Sequence, residues 1–327
     1  MNILVTGGAG YIGSHTVQEL RRRGHRTVIV DTLVTGHRSA AAGDFVPVDI
    51  ADRAALARVM RERGIDGVVH FAAFSAAGES VEQPANYFRN NVAGTVALLD
   101  AMVDADVKRL VFSSSCSVYG QPERLPVTED APKRPESPYG ESKLLCERMF
   151  PWYDRPHGVR SICLRYFNAA GASLDGSLGD DVRPPTRLLP VALEVALGKR
   201  PHLTLYGTDY ETPDGTCIRD YVHVVDLADA HVRALDYLGQ GGPTDAFNVG
   251  VGRGYSNREM IDAIKATTGV DFPVVEAPRR PGDPAAVYAD SAKVRRALGW
   301  EPRHSDLPTI VRTAWVWRKA HPDGYPD

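Results

Sequence analysis

Short apolar runs alternate with longer amphipathic stretches through the first half of the chain. The apolar runs cover residues 2–6, 26–31, 66–71, 108–114 and 159–167, with a weaker run at 44–49. Helix-like stretches lie between them, near residues 12–23, 52–63, 83–103 and 139–155. Apolar runs without alternation are typical of strands that are buried on both faces. Because strands and helices also alternate, the pattern predicts an α/β fold with a doubly wound parallel sheet.

The pattern loosens after about residue 170. Residues 171–186 are rich in Gly, Asp and Pro, which predicts a loop that leads to a second lobe. Residues 220–232 and 246–250 again have the character of the sheet domain. We therefore predict a first domain of residues 1–170 plus roughly 219–250. A smaller, partly discontinuous α/β lobe would hold residues of roughly 171–218 and 251–327, and would bind the substrate.

Composition and charge narrow the possible partners. The chain has 327 residues, of which 43% are hydrophobic and 24% charged, as in an ordinary globular protein. Its net charge of −3 argues against a nucleic-acid partner. No apolar run reaches the ~18 residues of a membrane span, and the chain begins with a strand rather than a signal segment. The four cysteines have no metal-like spacing. We therefore expect a cytoplasmic protein with no membrane partner and no metal.

A glycine-rich turn follows the first strand directly. Gly7, Gly10 and Gly13 stand at the strand-to-helix junction, where glycine lets the backbone approach a phosphate and the helix directs its first amides at the anion. Asp31 ends the second strand, where a carboxylate accepts from ribose hydroxyls and repels a 2′-phosphate. The pattern predicts a Rossmann-type sheet that binds NAD rather than NADP. A tight turn and a solvated strand end are the structural alternatives.

The stretch SPYGESK predicts the start of a helix that carries a catalytic pair. Ser137 supplies a capping hydroxyl and Pro138 suits the first helical position. Tyr139 and Lys143 then share one helix face. A nearby ammonium, and then a cationic nicotinamide, would lower the pKa of the phenol and make it a base. Ser115, at the end of an earlier strand, could hydrogen-bond the substrate oxygen that Tyr139 deprotonates. Taken alone, each residue has a structural alternative: a half-buried tyrosine, a surface lysine or a polar strand end.

Segments along the whole chain resemble the UDP-glucose 4-epimerase family. The glycine spacing and the Ser-Tyr-Lys trio are similar to those of the extended short-chain dehydrogenase/reductase superfamily, whereas YGTDYETPDGTCIRDYVHV and HPDGYPD are more specific to the epimerases. The resemblance implies an NAD-dependent isomerase that interconverts UDP-galactose and UDP-glucose through a 4-keto sugar. It also implies a homodimer that packs through the helices near residues 83–103 and 138–155.

The resemblance implies two sets of binding residues around the trio of Ser115, Tyr139 and Lys143. NAD would contact the following residues: Gly7, Gly10, Tyr11, Ile12, Gly13, Asp31, Thr32, Asp49, Ile50, Phe71, Ala72, Ala73, Asn90, Ser113, Ser115, Tyr139, Lys143, Tyr166 and Phe167. The UDP-sugar would contact Ser115, Tyr139, Asn168, Arg187, Leu188, Tyr206, Arg219, Arg280, Asp283 and Val287. The arginines would neutralise the diphosphate, because guanidinium groups match phosphate oxygens.

Four positions depart from the family pattern. Arg187 stands where an asparagine or a histidine is usual, and it would either add a phosphate contact or face solvent. Ser75 and Thr32 stand where a lysine and an asparagine are frequent, so we expect fewer polar contacts to NAD. Val287 stands at the family's gate beside the sugar, where a tyrosine accompanies plain hexoses. The smaller side chain predicts some activity on UDP-N-acetylglucosamine.

Other functions remain possible for this type of site. A nucleotide-sugar 4,6-dehydratase needs an Asp-Glu pair after Ser115, where Cys116 and Ser117 stand. A UDP-glucuronate decarboxylase is a similar minority alternative. A non-catalytic NAD-binding regulator would lack the trio, and a free dehydrogenase would exchange its cofactor in every turnover.

Overall fold

The computed structural model describes residues 1–280 and 282–327. Its strands are β1 Asn2–Thr6, β2 Arg26–Val30, β3 Asp44–Val46, β4 Gly67–His70, β5 Arg109–Ser115, β6 Arg160–Tyr166, β7 Asn168–Ala170, β8 Leu203–Tyr206, β9 Ile218–Arg219, β10 Tyr221–His223, β11 Asp245–Val249, β12 Tyr255–Ser256, β13 Val274–Ala277 and β14 Ala286–Val287.

The helices lie between these strands. They are α1 Tyr11–Arg22, α2 Arg53–Glu62, α3 Ala77–Glu82, α4 Pro84–Tyr87, α5 Gly94–Asp104, α6 Pro138–His157, α7 Leu188–Ala196, α8 Val224–Gly239, α9 Asn257–Thr268, α10 Ala292–Leu298 and α11 Leu307–Ala320. Short 3-10 turns cover Arg38–Ala40 and Cys116–Tyr119, and one π-helical turn covers Phe88–Ala93.

Within the described residues, seven parallel strands form the main sheet in the order β11-β6-β5-β4-β1-β2-β3. The order reverses at β1, which pairs with β2 on one side and β4 on the other. In a doubly wound sheet such a reversal opens a ligand crevice at the carboxyl ends of the strands. The predicted fold class is confirmed.

Two apolar layers bury the faces of this sheet. Helices α1 and α8 cover one face with side chains such as Leu20 and Leu235. Helices α2, α5 and α6 cover the other with side chains such as Leu56 and Phe150. All four residues of β4 are buried, as expected for a central strand between two helix layers.

The second lobe has a core of its own. Helices α7, α9 and α11 pack together with β8, and β8 pairs with β13. Val294 and Leu298 of α10, together with Trp300, instead join the core of the sheet domain. This segment lies with the sheet although the sequence prediction assigns it to the smaller lobe, because its apolar side chains face α8 and β11.

None of the helices described here combines the length and the apolar character that crossing a membrane requires.

Candidate active site

The glycine turn between β1 and α1 leaves no room for side chains. Gly7 adopts a φ of +68°, and a Cβ there would lie 2.6 Å from the main-chain nitrogen of Ala72. A Cβ on Gly13 would lie 2.2 Å from the carbonyl oxygen of Gly7. The backbone therefore packs closely against the end of β4 and opens toward the crevice. This cradle fits a pyrophosphate at the start of α1.

Asp31 holds the next loop against this turn. Its carboxylate accepts hydrogen bonds from the main-chain nitrogens of Ala9, at 3.0 Å, and Leu33, at 2.8 Å. Because Ala9 belongs to the glycine turn, the carboxylate fixes both loops at the ends of β1 and β2. Thr32 beside it is exposed, and so is Ser75. The residues present fit the adenosine half of NAD.

The other residues predicted to bind NAD lie along the same sheet edge. Because the strands of the main sheet are parallel, β6, β5, β4, β1, β2 and β3 all end along one edge of the sheet, in that order. The edge thus brings together the predicted residues Asp49, Ile50, Phe71, Ala72, Ala73, Ser113, Ser115, Tyr166 and Phe167. Ser113 and Tyr166 share a hydrogen bond between their hydroxyl groups. Asn90 lies apart from the strands, in the π-helical turn before α5.

The trio comes from β5 and the first turns of α6. Ser115 ends β5, and its hydroxyl accepts from the main-chain nitrogen of Ser117 at 3.1 Å. Helix α6 begins as predicted: the Ser137 hydroxyl accepts from the main-chain nitrogen of Gly140 at 3.2 Å. Lys143 is buried, and its Nζ donates to the carbonyl oxygen of Ser113 at 2.8 Å. It lies 6.0 Å from the centroid of the Tyr139 ring.

The electrostatics of the trio correct one expectation. Burial raises the pKa of Tyr139 to about 12, and a hydrogen bond from Ser115 offsets part of that rise. Burial lowers the pKa of Lys143 to about 8. The expected lowering of the pKa of Tyr139 by Lys143 is wrong for this arrangement, because the ammonium is directed at the Ser113 carbonyl. The hydroxyl of Ser115 and, to a smaller extent, the charge of Arg187 favour the phenolate.

Two buried positioning groups were missed in the sequence. The side-chain amide of Asn91 donates to the carbonyl oxygen of Phe74 and to the Ser142 hydroxyl, both at 3.0 Å. The Ser80 hydroxyl accepts from the main-chain nitrogen of Tyr139 at 3.1 Å. Together they fix the start of α6 against the segment after β4. The paired asparagines in the turn before α5 were the only signal in the sequence, because an amide that becomes buried requires partners.

A buried ion pair behind the trio was also missed. Arg165 of β6 and Glu147 of α6 have side chains that are only 6% and 7% exposed. The Nε atom of Arg165 lies 2.9 Å from Oε1 of Glu147, and the hydroxyl of Ser114 donates to the same oxygen. An arginine within an otherwise apolar strand was the sequence signal, because a buried charge must be paired.

A cavity of about 510 Å³ lies between the end of the sheet and the second lobe. Seven of the ten residues predicted to bind the UDP-sugar line it: Asn168, Arg187, Leu188, Tyr206, Arg219, Arg280 and Asp283. Ser115, Tyr139 and Val287 do not. The N-terminus of α7 also lines the cavity, and Arg187 precedes that helix without a side-chain cap. The free amides of a helix start and the guanidinium groups together suit an anionic ligand.

Charged groups in the cavity are held in a defined arrangement. Asp283 bridges two guanidinium groups: its carboxylate lies 2.9 Å from Nε of Arg280 and 3.5 Å from an Nη atom of Arg219. Arg280 lies over the ring of Tyr206, 5.0 Å from its centroid. Arg187 pairs with Asp180 at 2.6 Å. The cations are thus oriented by carboxylates but keep donors for phosphate oxygens.

Val287 lies between the charged groups of the cavity and the trio. Its strand β14 pairs with β9, which places Val287 opposite Arg219. The side chain is buried in an apolar cluster with Phe167, and Cys116 packs against that cluster. Because Cys116 follows Ser115 directly, the valine lies close to the trio.

Comparison with known proteins agrees with this geometry. The model of the NAD dependent epimerase/dehydratase family matches residues 3–250. A UDP-glucose 4-epimerase of Lactobacillus helveticus is 48% identical over 329 residues, which cover 100% of each chain. The chain belongs to the UDP-glucose 4-epimerase family.

Solved structures of this family extend the agreement to three dimensions. A Brucella ovis UDP-glucose 4-epimerase in complex with NAD superimposes with a TM-score of 0.94 at 50% identity, covering 96% of this chain and 97% of that one. The Stenotrophomonas maltophila UDP-glucose 4-epimerase, with bound NAD and formylated UDP-arabinopyranose, gives 0.96 at 43% identity and 99% coverage of each chain. The cofactor of this family is NAD, which confirms the prediction made from the glycine turn and Asp31.

Proposed function

We propose that this chain interconverts UDP-galactose and UDP-glucose by inverting carbon 4 of the sugar. The observation that carries the proposal is the position of the trio. Tyr139, Lys143 and Ser115 lie at the carboxyl edge of the sheet, between the glycine turn and a cavity with guanidinium groups. Full-length similarity to UDP-glucose 4-epimerases supports this function over a dehydratase, a decarboxylase or a non-catalytic regulator.

The chain's own groups handle the proton and the orientation of the sugar. Tyr139 takes the proton of the 4-hydroxyl group, and Ser115 donates to the same oxygen, so that the carbonyl group of the 4-keto sugar is held in place. When bound, NAD would supply the hydride acceptor and donor for carbon 4, and its cationic ring would favour the phenolate. Tyr139 then gives the proton back to the same oxygen, and the product sugar has the oxidation state of the substrate.

The nucleotide would be anchored at the far end of the cavity. Arg219 and Arg280 would bind the diphosphate, Asp283 the uridine ribose, and Tyr206 would cover the uracil. The amides at the start of α7 would add donors to the phosphates. With the nucleotide held firmly, the sugar itself needs few fixed contacts. The flat 4-keto ring can then turn and present either face to the nicotinamide. The domain of residues 1–170 and roughly 219–250 would hold NAD, and the lobe of roughly 171–218 and 251–327 would supply most of the contacts to the UDP-sugar.

The Tyr139→Phe substitution tests this assignment. Loss of the phenolic oxygen removes the base, so turnover of UDP-galactose should fall by about 100-fold or more. The phenyl ring still fills the site, so NAD should stay bound. The measurement is conversion to UDP-glucose together with the NAD content of the purified variant. Turnover near the wild-type rate would assign the proton transfer to another group.

A second substrate follows from Val287. Valine is much smaller than the tyrosine that accompanies plain hexoses at this position in the family pattern, so we propose some turnover of UDP-N-acetylglucosamine. The Val287→Tyr variant should lose this activity by about tenfold or more and keep activity on UDP-galactose. No detectable turnover of the N-acetylated substrate by the wild-type protein, beside normal turnover of UDP-galactose, would reject the idea.

We also propose a cytoplasmic homodimer. The four cysteines all carry free thiols, which suits a reducing compartment. On α6, the ring of Trp152 is 68% exposed, and large apolar side chains of this kind are common in subunit interfaces. Light scattering coupled to gel filtration measures the mass of the particle. A Trp152→Glu variant should shift a dimer toward the monomer.

A further inference from the structure

The segment that follows Asp31 packs directly onto the glycine turn. A Cβ on Gly36 would lie 3.0 Å from the Cβ of Ala9. The main-chain nitrogen of His37 donates to the carbonyl oxygen of Ala9 at 3.0 Å. A shift of Gly36 and His37 therefore moves the turn that would hold the pyrophosphate. The contacts that hold His37 in place therefore also determine how rigidly the glycine turn is held.

The ring of His37 connects this segment to two distant parts of the chain. Its Nε2 atom lies 3.0 Å from the carbonyl oxygen of Asp181, and its Nδ1 atom lies 3.0 Å from the main-chain oxygen of Asp327. The ring also packs on Tyr325, with 5.0 Å between the centroids. The side chain is only 13% exposed. Each ring nitrogen thus lies within hydrogen-bond distance of a main-chain oxygen, and the nitrogen that carries the proton donates to its oxygen in either tautomer.

Further contacts close this arrangement around His37. The carboxylate of Asp327 accepts from the main-chain nitrogen of Ser39 at 2.9 Å and from its hydroxyl. The carboxylate of Asp181 accepts from the main-chain nitrogen of Tyr325 at 2.9 Å and from Arg318 at 3.2 Å. One apolar cluster, formed by Ala40, Ala172, Leu178, Trp317 and Tyr325, lies beneath these contacts and draws on the same three segments.

We infer that His37, Asp181 and the segment Tyr325–Asp327 form a clasp that locks the glycine turn and thereby slows the release of NAD. The clasp touches the turn through Ala9, and its members reach it from the substrate lobe and from the segment that follows α11. In this role His37 is a positioning residue, since it acts on the cofactor through the backbone of the turn. The inference rests on the proposed position of NAD at the glycine turn.

The His37→Ala variant tests the clasp by the rate of NAD release. Protein loaded with NAD is freed of excess cofactor and mixed with an excess of an enzyme that reduces free NAD, and the NADH formed is followed by absorbance. Loss of the ring's contacts to Asp181, Asp327 and Tyr325 should speed release by about tenfold or more. Turnover of UDP-galactose should then depend on added NAD. The matched control is His157→Ala, at an exposed position near the end of α6, which should release NAD at the wild-type rate.

A second variant covers the case in which His37→Ala fails to fold. Asp327→Ala removes only the contacts to Ser39 and should speed release about threefold, with an unchanged melting temperature. Release rates within a factor of 1.5 of the wild type in every clasp variant that folds would overturn the clasp. The outcome is independent of the proposed function, which fails separately if wild-type protein with added NAD does not convert UDP-galactose.

Discussion

At the scale of single residues, the chemistry depends on two hydroxyl groups that meet between β5 and α6. Burial alone makes Tyr139 a poor base, since it raises the pKa of the phenol to about 12. In the protein without substrate, a hydrogen bond from Ser115 offsets part of this rise, and such a bond strengthens as the phenolic oxygen becomes negative. Ser115 thus favours the basic form of Tyr139 before the sugar binds, and its single proton is then donated to the sugar oxygen.

The Ser115→Ala variant should show this in the pH dependence of kcat/KM. The base must be ionised to act, so activity falls as the pH drops below the pKa of Tyr139. Loss of the hydrogen bond raises that pKa, and the acid limb should move by about one unit toward higher pH. The rate at low pH should fall more than the rate at high pH. An equal fall at every pH would assign Ser115 to sugar binding alone.

At the scale of elements, the site depends on the register between α6 and the strands beneath it. Lys143 ties the helix to β5 through the Ser113 carbonyl, and Glu147, one turn later, pairs with Arg165 of β6. Both bonds join elements that are adjacent in space. A buried ion pair is costly to break from one side, because the remaining charge has no partner.

The Glu147→Ala variant should therefore lower the free energy of unfolding by about 3–5 kcal/mol. Glu123→Ala is the matched control, because Glu123 pairs with Arg134 while both side chains are more than half exposed, and its cost should stay below about 1 kcal/mol. Denaturant titration of both variants gives the comparison. Similar losses for the two would mean that Arg165 finds another partner or water.

The individual elements could be predicted from the sequence pattern, whereas the contacts between elements could not. The strands of the main sheet, the glycine turn and the start of α6 follow from local apolar runs and from capping residues, and each appears close to its expected place. The pairing of Glu147 with Arg165 joins a helix to the next strand, and the contacts of His37 join residues almost 300 positions apart. Local periodicity carries no information on such contacts, so only the charged or polar residue type could signal them.

At the scale of the whole molecule, the cofactor edge and the sugar cavity meet at the end of β6. Tyr166 and Phe167 lie at the edge where NAD would bind, and Asn168, the next residue, lines the cavity. The catalytic trio lies beside this junction. An epimerase needs this continuity, because the hydride must leave and return within one complex. NAD that stays bound through the cycle is thus the central claim about this protein.

The most direct test is to add UDP-galactose to the purified protein without NAD and to separate the sugar nucleotides. Conversion to UDP-glucose is expected, because NAD held at the glycine turn is regenerated in every cycle. Repetition with NAD present separates a loosened cofactor site from an absent activity. If no UDP-glucose forms either with or without added NAD, the proposed epimerisation is contradicted.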